Sequence, residues 1–159
     1  MTAAPATDIK SIDKILARHP RSETAALVNI LHDLQAEFGF LAEKVLRRAA
    51  VYIGVPQVQL FRVVTFYEGF HLKPRGKHIC TVCVGTACHV RGASKLVDHI
   101  ERQFKVRVGN TTNDMQLTLE SVNCVGACAL GPLVMIDGSY HGNMSASKLD
   151  KILKPLKRK

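Results

Sequence analysis

The chain has 159 residues, 47% of them hydrophobic, and a formal net charge of +9 from 22 Lys plus Arg against 13 Asp plus Glu. That composition excludes a disordered chain, and no apolar run approaches the ~18 residues that cross a bilayer as a helix. The length suits one medium domain or two small ones, each at a size where burial alone stabilises weakly. The positive charge admits an acidic partner, but no nucleic-acid motif accompanies it, so neither nucleic-acid binding nor membrane insertion is expected. The start, Met1 to Asp8, lacks a basic flank before an apolar core. No secretory leader is therefore expected, and the expected setting is cytoplasmic or the cytoplasmic face of a membrane complex.

Ile9, Ile12, Ile15 and Leu16 share one helical face. Leu27, Ile30, Leu31, Leu34 and Phe38 repeat the pattern, and Gly39 stops that helix. Val45, Leu46, Ala49, Ala50 and Ile53 predict a third helix closed by Gly54. Pro56 opens a fourth in its first turn, continued by Phe61, Val64 and Thr65. Thr65 to Phe70 is rich in aromatics, which read as core packing between the two halves rather than a docking patch. His71 to Gly76 reads as a linker.

From Lys77 the period changes. Lys77 to Val82 predicts a strand running into Cys83. Ala93, Leu96, Val97, Ile100 and Phe104 form a helical stripe, and Gly109 to Asp114 reads as turns. Met115, Leu117 and Leu119 alternate with polar residues, the mark of a half-buried strand. Leu133 to Ile136, the turn Asp137-Gly138 and Ser139 to His141 predict a hairpin. Ser145 caps a last helix with Leu149, Ile152, Leu153 and Leu156 inward. The predicted fold class is α+β: an N-terminal helical bundle over residues 1–72, then an α/β domain with a mixed sheet over residues 77–159.

All five cysteines fall in the second half. Cys83 and Cys88 are spaced C-x4-C, and Cys124 and Cys128 C-x3-C, each pair just past a predicted strand. Four thiolates from two loops admit structural zinc, an iron–sulfur cluster or redox-active dithiols. A 2Fe–2S cluster has two irons that each take two cysteines, which two pairs on two loops match. Gly85, Gly126 and Gly131 let backbone N–H groups approach the sulfurs. Cys80 forms C-x2-C with Cys83, a dithiol spacing, but it lies within a strand-like run and reads as a small buried apolar residue.

Cys83-Val-Gly-Thr-Ala-Cys88-His89-Val90-Arg91-Gly92-Ala93 and Asn123-Cys124-Val-Gly-Ala-Cys128-Ala-Leu-Gly-Pro132 resemble the thioredoxin-like 2Fe–2S ferredoxin family. More narrowly, they resemble its small subunit in the NADH-oxidising module of complex I, in NAD(P)-linked and electron-bifurcating hydrogenases and in NAD-dependent formate dehydrogenases. Gly109 to Asp114, Gln35 to Gly39 and Val64 to Tyr67 extend the likeness from about residue 20 to 156. The resemblance implies a thioredoxin-like fold for the second half and one 2Fe–2S cluster on Cys83, Cys88, Cys124 and Cys128. It also implies a helical half that docks on a larger iron–sulfur subunit carrying FMN and the NAD(P) site, within a multi-subunit complex. Consistently, the chain has no G-x-G-x-x-G after a strand and no P-loop, so it is expected not to oxidise NAD(P)H alone. A free-standing ferredoxin of the same type is the alternative.

Four thiolates and two sulfides leave such a cluster negative in both oxidation states, so a low potential is expected. Arg91 and the N-terminus of the helix after Cys88 stand as possible offsets to that charge, with Arg91 equally readable as a solvated surface residue. His89 is not expected to be a ligand, because a Rieske site needs two histidines on one iron. The basic end, Lys148, Lys151, Lys154, Lys157, Arg158 and Lys159, reads as a contact to an acidic partner or as a solubilising tail.

Overall fold

In the computed structural model, which describes residues 8–20 and 26–156, the chain divides into two units, residues 2–74 and residues 75–159. The side chain of Leu156, expected inward, and the tail residues Lys157, Arg158 and Lys159 lie outside the described residues.

Among the described residues, the first unit holds four helices, α1 (Ile9–Leu16), α2 (Leu27–Phe38), α3 (Glu43–Ile53) and α4 (Gln57–Phe66). Several of their ends follow local chemistry. Asp8 caps α1 by accepting the Lys10 N–H. Gly39 at φ 76° and Gly54 at φ 79° end α2 and α3 in the left-handed conformation, which side chains disfavour. Pro56 sits at the N-cap of α4, one residue ahead of the expected first turn. Most of the predicted apolar positions turn inward, Ile12, Leu16, Ile30, Leu31, Leu34 and Leu46 being fully buried, but Ile9 is 48% exposed. In α4, Val64 is buried whereas Thr65 is exposed, and the unforeseen Leu60 takes the core position. The Gln35 carboxamide then ties down the end of the unit, donating to Gly69 O and accepting from the His71 N–H, both at 2.7 Å. Leu34→Ala should lower unfolding stability by ~2–5 kcal/mol, because a buried leucine leaves a cavity that its neighbours fill only partly. Urea denaturation checks it, and a loss under ~1 kcal/mol contradicts this packing.

The aromatic segment departs from expectation. Phe70 joins the helical core at 7% exposure and its ring lies 4.8 Å from that of His32, but Phe66 is 79% and Tyr67 48% exposed. Phe66 is the last residue of α4 and Tyr67 its C-cap, so both project from a helix end rather than from its buried face.

The second unit runs β1 (His78–Cys83), α5 (Thr86–Val90), α6 (Ala93–Phe104), β2 (Asn110–Thr111), β3 (Leu117–Val122), β4 (Val134–Ile136), β5 (Ser139–His141) and α7 (Ala146–Leu153). The sheet order is β2-β3-β1-β4-β5. Strand β1 pairs parallel with β3 and antiparallel with β4, so the sheet is mixed as predicted. Asp137 at φ 50° and Gly138 at φ 81° make the two-residue turn between β4 and β5, the conformation that a right-twisted hairpin prefers. Ser145 Oγ caps α7 by accepting the Lys148 N–H. Leu96 and Ile100 of α6 and Leu149 and Leu153 of α7 fill the core.

Three local readings change. Helix α5, which starts just past Cys83 and contains Cys88, was not foreseen. The stretch read as turns contains the short strand β2, and β3 begins at Leu117 because Met115 takes φ 55°. The expected alternation in β3 fails, since Leu117, Thr118 and Leu119 are all buried. A strand inside the sheet is covered on both faces, and the Thr118 hydroxyl is satisfied by the Gly76 N–H at 2.7 Å and Thr111 Oγ1 at 2.8 Å. Among the described residues, no helix is long and apolar enough to cross a membrane.

Candidate metal centre

The parallel pairing of β1 with β3 sets Cys83 opposite Val122, so the chain leaves both strands at the same end of the sheet. Cys83 is the last residue of β1, and Cys88 lies within α5 just beyond it. Cys124 follows β3 by two residues, and Cys128 opens a 3-10 turn, Cys128–Leu130. Both expected pairs therefore lie at the same C-terminal ends of β1 and β3, the first on β1 and α5 and the second in the segment after β3. Cys83 and Cys88 are 3% and 2% exposed, whereas Cys124 and Cys128 face outward. A cleft of about 760 Å³ opens over the outward pair, lined by Val84, Gly85, Thr86, Ala87, Val90, Arg91, Asn123, Cys124 and Cys128.

The sulfurs form neighbouring pairs. Cys124 Sγ lies 3.8 Å from Cys128 Sγ, and Cys83 shares hydrogen bonds with both Cys88 and Cys124. Burial raises the Cys83 thiol, but the Gly85 and Val125 N–H groups and the two neighbouring thiols outweigh it, and the net shift is downward. Cys88 is pushed up by burial and by its bond to Cys83, with the Leu133 N–H acting against this. Cys128 is pushed up by Cys124 beside it. One anion among the four thiols thus opposes a second, which is what a cationic centre relieves.

The fit to a 2Fe–2S cluster rests on the donors and on the backbone around them. Four thiols in two pairs supply two ligands per iron. The Gly126 N–H donates to Cys124 Sγ at 3.3 Å, as the glycine content of the loop led one to expect. Gly85 packs where a Cβ would meet Asn123 O at 2.2 Å, and at Gly131 a Cβ would stand 3.1 Å from Cys88 Sγ. Both glycines leave the sulfurs room and hold the two loops close.

The remaining candidates separate. Cys80 is wholly buried in β1, and burial plus the charge of Asp137 push its thiol up to about 12, so it is neutral near pH 7. His89 turns its Nδ1 to Ser94 Oγ at 2.9 Å. Arg91 is not simply solvated: its Nη1 lies 2.9 Å from Cys128 O and 3.2 Å from both Ala129 O and Gly131 O. The helix after Cys88 is α6, which starts at Ala93 as expected, with Cys88 itself inside the shorter α5. The N–H groups of Val125 and Leu133 were not foreseen, since spacing does not reveal which amide points at a sulfur.

Known proteins resemble this arrangement along nearly the whole chain. A family model described as thioredoxin-like [2Fe-2S] ferredoxin matches residues 12–157. Over 127 residues the chain is 40% identical to the NADP-reducing hydrogenase subunit HndA of Solidesulfovibrio fructosivorans, covering 80% of this chain and 74% of that one. Over 144 residues it is 35% identical to a subunit of the NADH-quinone oxidoreductase of Rhizobium meliloti (strain 1021), covering 91% and 85%. Its fold also matches a chain of an NAD+-reducing [NiFe]-hydrogenase in the H2-reduced state, with a TM-score of 0.70 at 19% identity. That likeness covers 86% of this chain and 23% of the hydrogenase chain, so this protein spans under a quarter of it.

Proposed function

The chain belongs to the thioredoxin-like [2Fe-2S] ferredoxin family, and we propose that it is the electron-transfer subunit of an NAD(P)-linked oxidoreductase, a hydrogenase, formate dehydrogenase or complex I. In this reading it exchanges single electrons with the flavin of a larger NAD(P)-binding subunit. The observation that carries the reading is the convergence of two cysteine pairs at one end of the β1–β3 pairing. Cys83, Cys88, Cys124 and Cys128 hold one 2Fe–2S cluster, which supplies one-electron exchange when bound.

The chain's own residues divide the labour. Cys83 and Cys88 bind from the buried side, and Val84 and Leu133 beside them limit water access. Cys124 and Cys128 bind from the outward side, flanked by Val90 at 80% and Leu130 at 48% exposure. Exposed apolar residues beside exposed ligands suit a docked protein, because they bring the site near a partner and exclude water on contact. FMN and the dinucleotide belong to that partner, for this chain carries no phosphate-cradling motif. The helical unit is the proposed docking element, and the setting is cytoplasmic or the cytoplasmic face of a membrane complex.

An anaerobic preparation tests this by iron and sulfide analysis, visible spectrum and EPR, followed by NAD(P)H with and without the flavin subunit. The expected result is an EPR signal on reduction, with NAD(P)H effective only when the flavin subunit is present. A colourless chain holding one zinc overturns the proposal. A clustered chain that recovers no flavoprotein from its native host supports a free-standing ferredoxin instead.

A further inference from the structure

Arg91 is the C-cap residue of α5, the short helix that contains Cys88. Its side chain reaches the other ligand loop, where Nη1 meets the carbonyls of Cys128, Ala129 and Gly131. That nitrogen carries two hydrogens, so three acceptors around it share them in bifurcated fashion. The acceptors belong to the 3-10 turn that Cys128 opens and to the glycine that follows it. Gly131 closes the same corner, since a Cβ there would stand 3.1 Å from Cys88 Sγ and 3.5 Å from Arg91 Nη1. Resting on the function proposed above, we infer that Arg91 is a positioning residue. It locks the Cys128 turn to the Cys88 helix, and its fixed charge raises the reduction potential of the cluster held between them.

The guanidinium also keeps its charge. Nη1 donates to neutral carbonyls, and among the described residues no ion pair involves Arg91. Carbonyl oxygens orient a guanidinium without cancelling its charge. Apart from the cysteines, Arg91 is also the residue with a formal charge on the cleft wall, which carries no carboxylate. An added electron makes an already anionic tetrathiolate site more negative, so a cation anchored beside it favours the reduced form. Lysine keeps the charge but lacks the planar fork, and glutamine keeps an N–H2 donor but lacks the charge. The two substitutions therefore separate the two roles.

The test uses the full chain with its cluster assembled anaerobically, as wild type, Arg91→Gln, Arg91→Lys and Arg102→Gln. Arg102 lies ~14 Å along α6 from its start, bonded to Asp98 O of its own helix, and controls for net charge. Redox titration followed by EPR reads the potential, and iron release to a chelator reads the anchoring. Arg91→Gln should lower the reduction equilibrium constant about fivefold, or ~40 mV at 59 mV per tenfold. Arg91→Lys should stay within about twofold of wild type yet release iron several times faster, and Arg102→Gln should match wild type in both. An Arg91→Gln potential equal to that of Arg102→Gln overturns the inference. So does an Arg91→Lys potential displaced fivefold, which decides the matter even where Arg91→Gln takes up no cluster. A wild-type chain without an iron–sulfur spectrum overturns the functional proposal itself, a result distinct from a wild-type cluster indifferent to Arg91.

Discussion

Alanine at any one of Cys83, Cys88, Cys124 and Cys128 is expected to reduce cluster content from about one per chain to under a tenth, while Cys80→Ala keeps it. Each iron takes two thiolates, so a missing ligand opens a coordination position and exposes the sulfides to water. The effect should hold for the buried pair and the outward pair alike, because the sulfurs lean on one another: Cys83 bonds to Cys88 and Cys124, and Cys124 neighbours Cys128. Cys80 differs in place and chemistry. It lies in β1 between Leu119 and Ile136, and its thiol stays protonated near neutral pH. Iron and acid-labile sulfide per chain, with the visible spectrum, measure the outcome. A Cys80→Ala chain without a cluster, or one of the other four with a full complement, shows the assignment of ligands to be wrong.

Gly85→Ala should be nearly as damaging although it removes no ligand. The added methyl would stand 2.2 Å from Asn123 O and 3.2 Å from Cys124 Cβ. The first distance is more than an ångström inside van der Waals contact, and the atom it meets is backbone. The loops carrying Cys83 and Cys124 must separate, at a cost of ~1–3 kcal/mol and of the sulfur geometry. Cluster content should fall severalfold, with the remaining cluster lost faster to a chelator. Gly126→Ala is the informative companion. Gly126 sits at φ 83° with nothing within 4 Å of a Cβ, so alanine there meets backbone strain of ~1–2 kcal/mol but no clash. Its N–H to Cys124 Sγ survives the change. If the two variants lose equal amounts of cluster, crowding at Gly85 is not what holds the loops together.

Features written in neighbouring residues were legible before the structure. Gly39 and Gly54 stop their helices, Ser145 caps α7, Asp137-Gly138 turns the hairpin, and the leucine faces of α2 and α3 point inward. Each depends on contacts a few residues long. Features that depend on distant partners were not. Thr118 looks like a solvent-facing position until Gly76 and Thr111 come to its hydroxyl. Phe66 and Tyr67 look like core until they fall at the end of α4. Helix α5 is five residues without a side-chain cap, too short to show a period of its own. The cysteine spacing pointed to the loops of the site, but the clasp of Arg91 on residues 37 to 40 positions away had no local signal.

The parallel pairing of β1 with β3 carries a consequence for when the site comes into being. The two cysteine pairs sit at the C-terminal ends of strands whose paired residues are about 40 positions apart, as in Cys83 with Val122. Parallel strands need a long crossover to close before their hydrogen bonds form, and such non-local contacts are late events in folding. Until then the chain offers two separate dithiols, each able to capture a stray metal ion on its own. Iron and sulfide supplied after the sheet has closed find four ligands, and supplied before it they find two and two. The order of addition in refolding, with chain first and cluster second, should therefore decide the yield of correctly loaded protein.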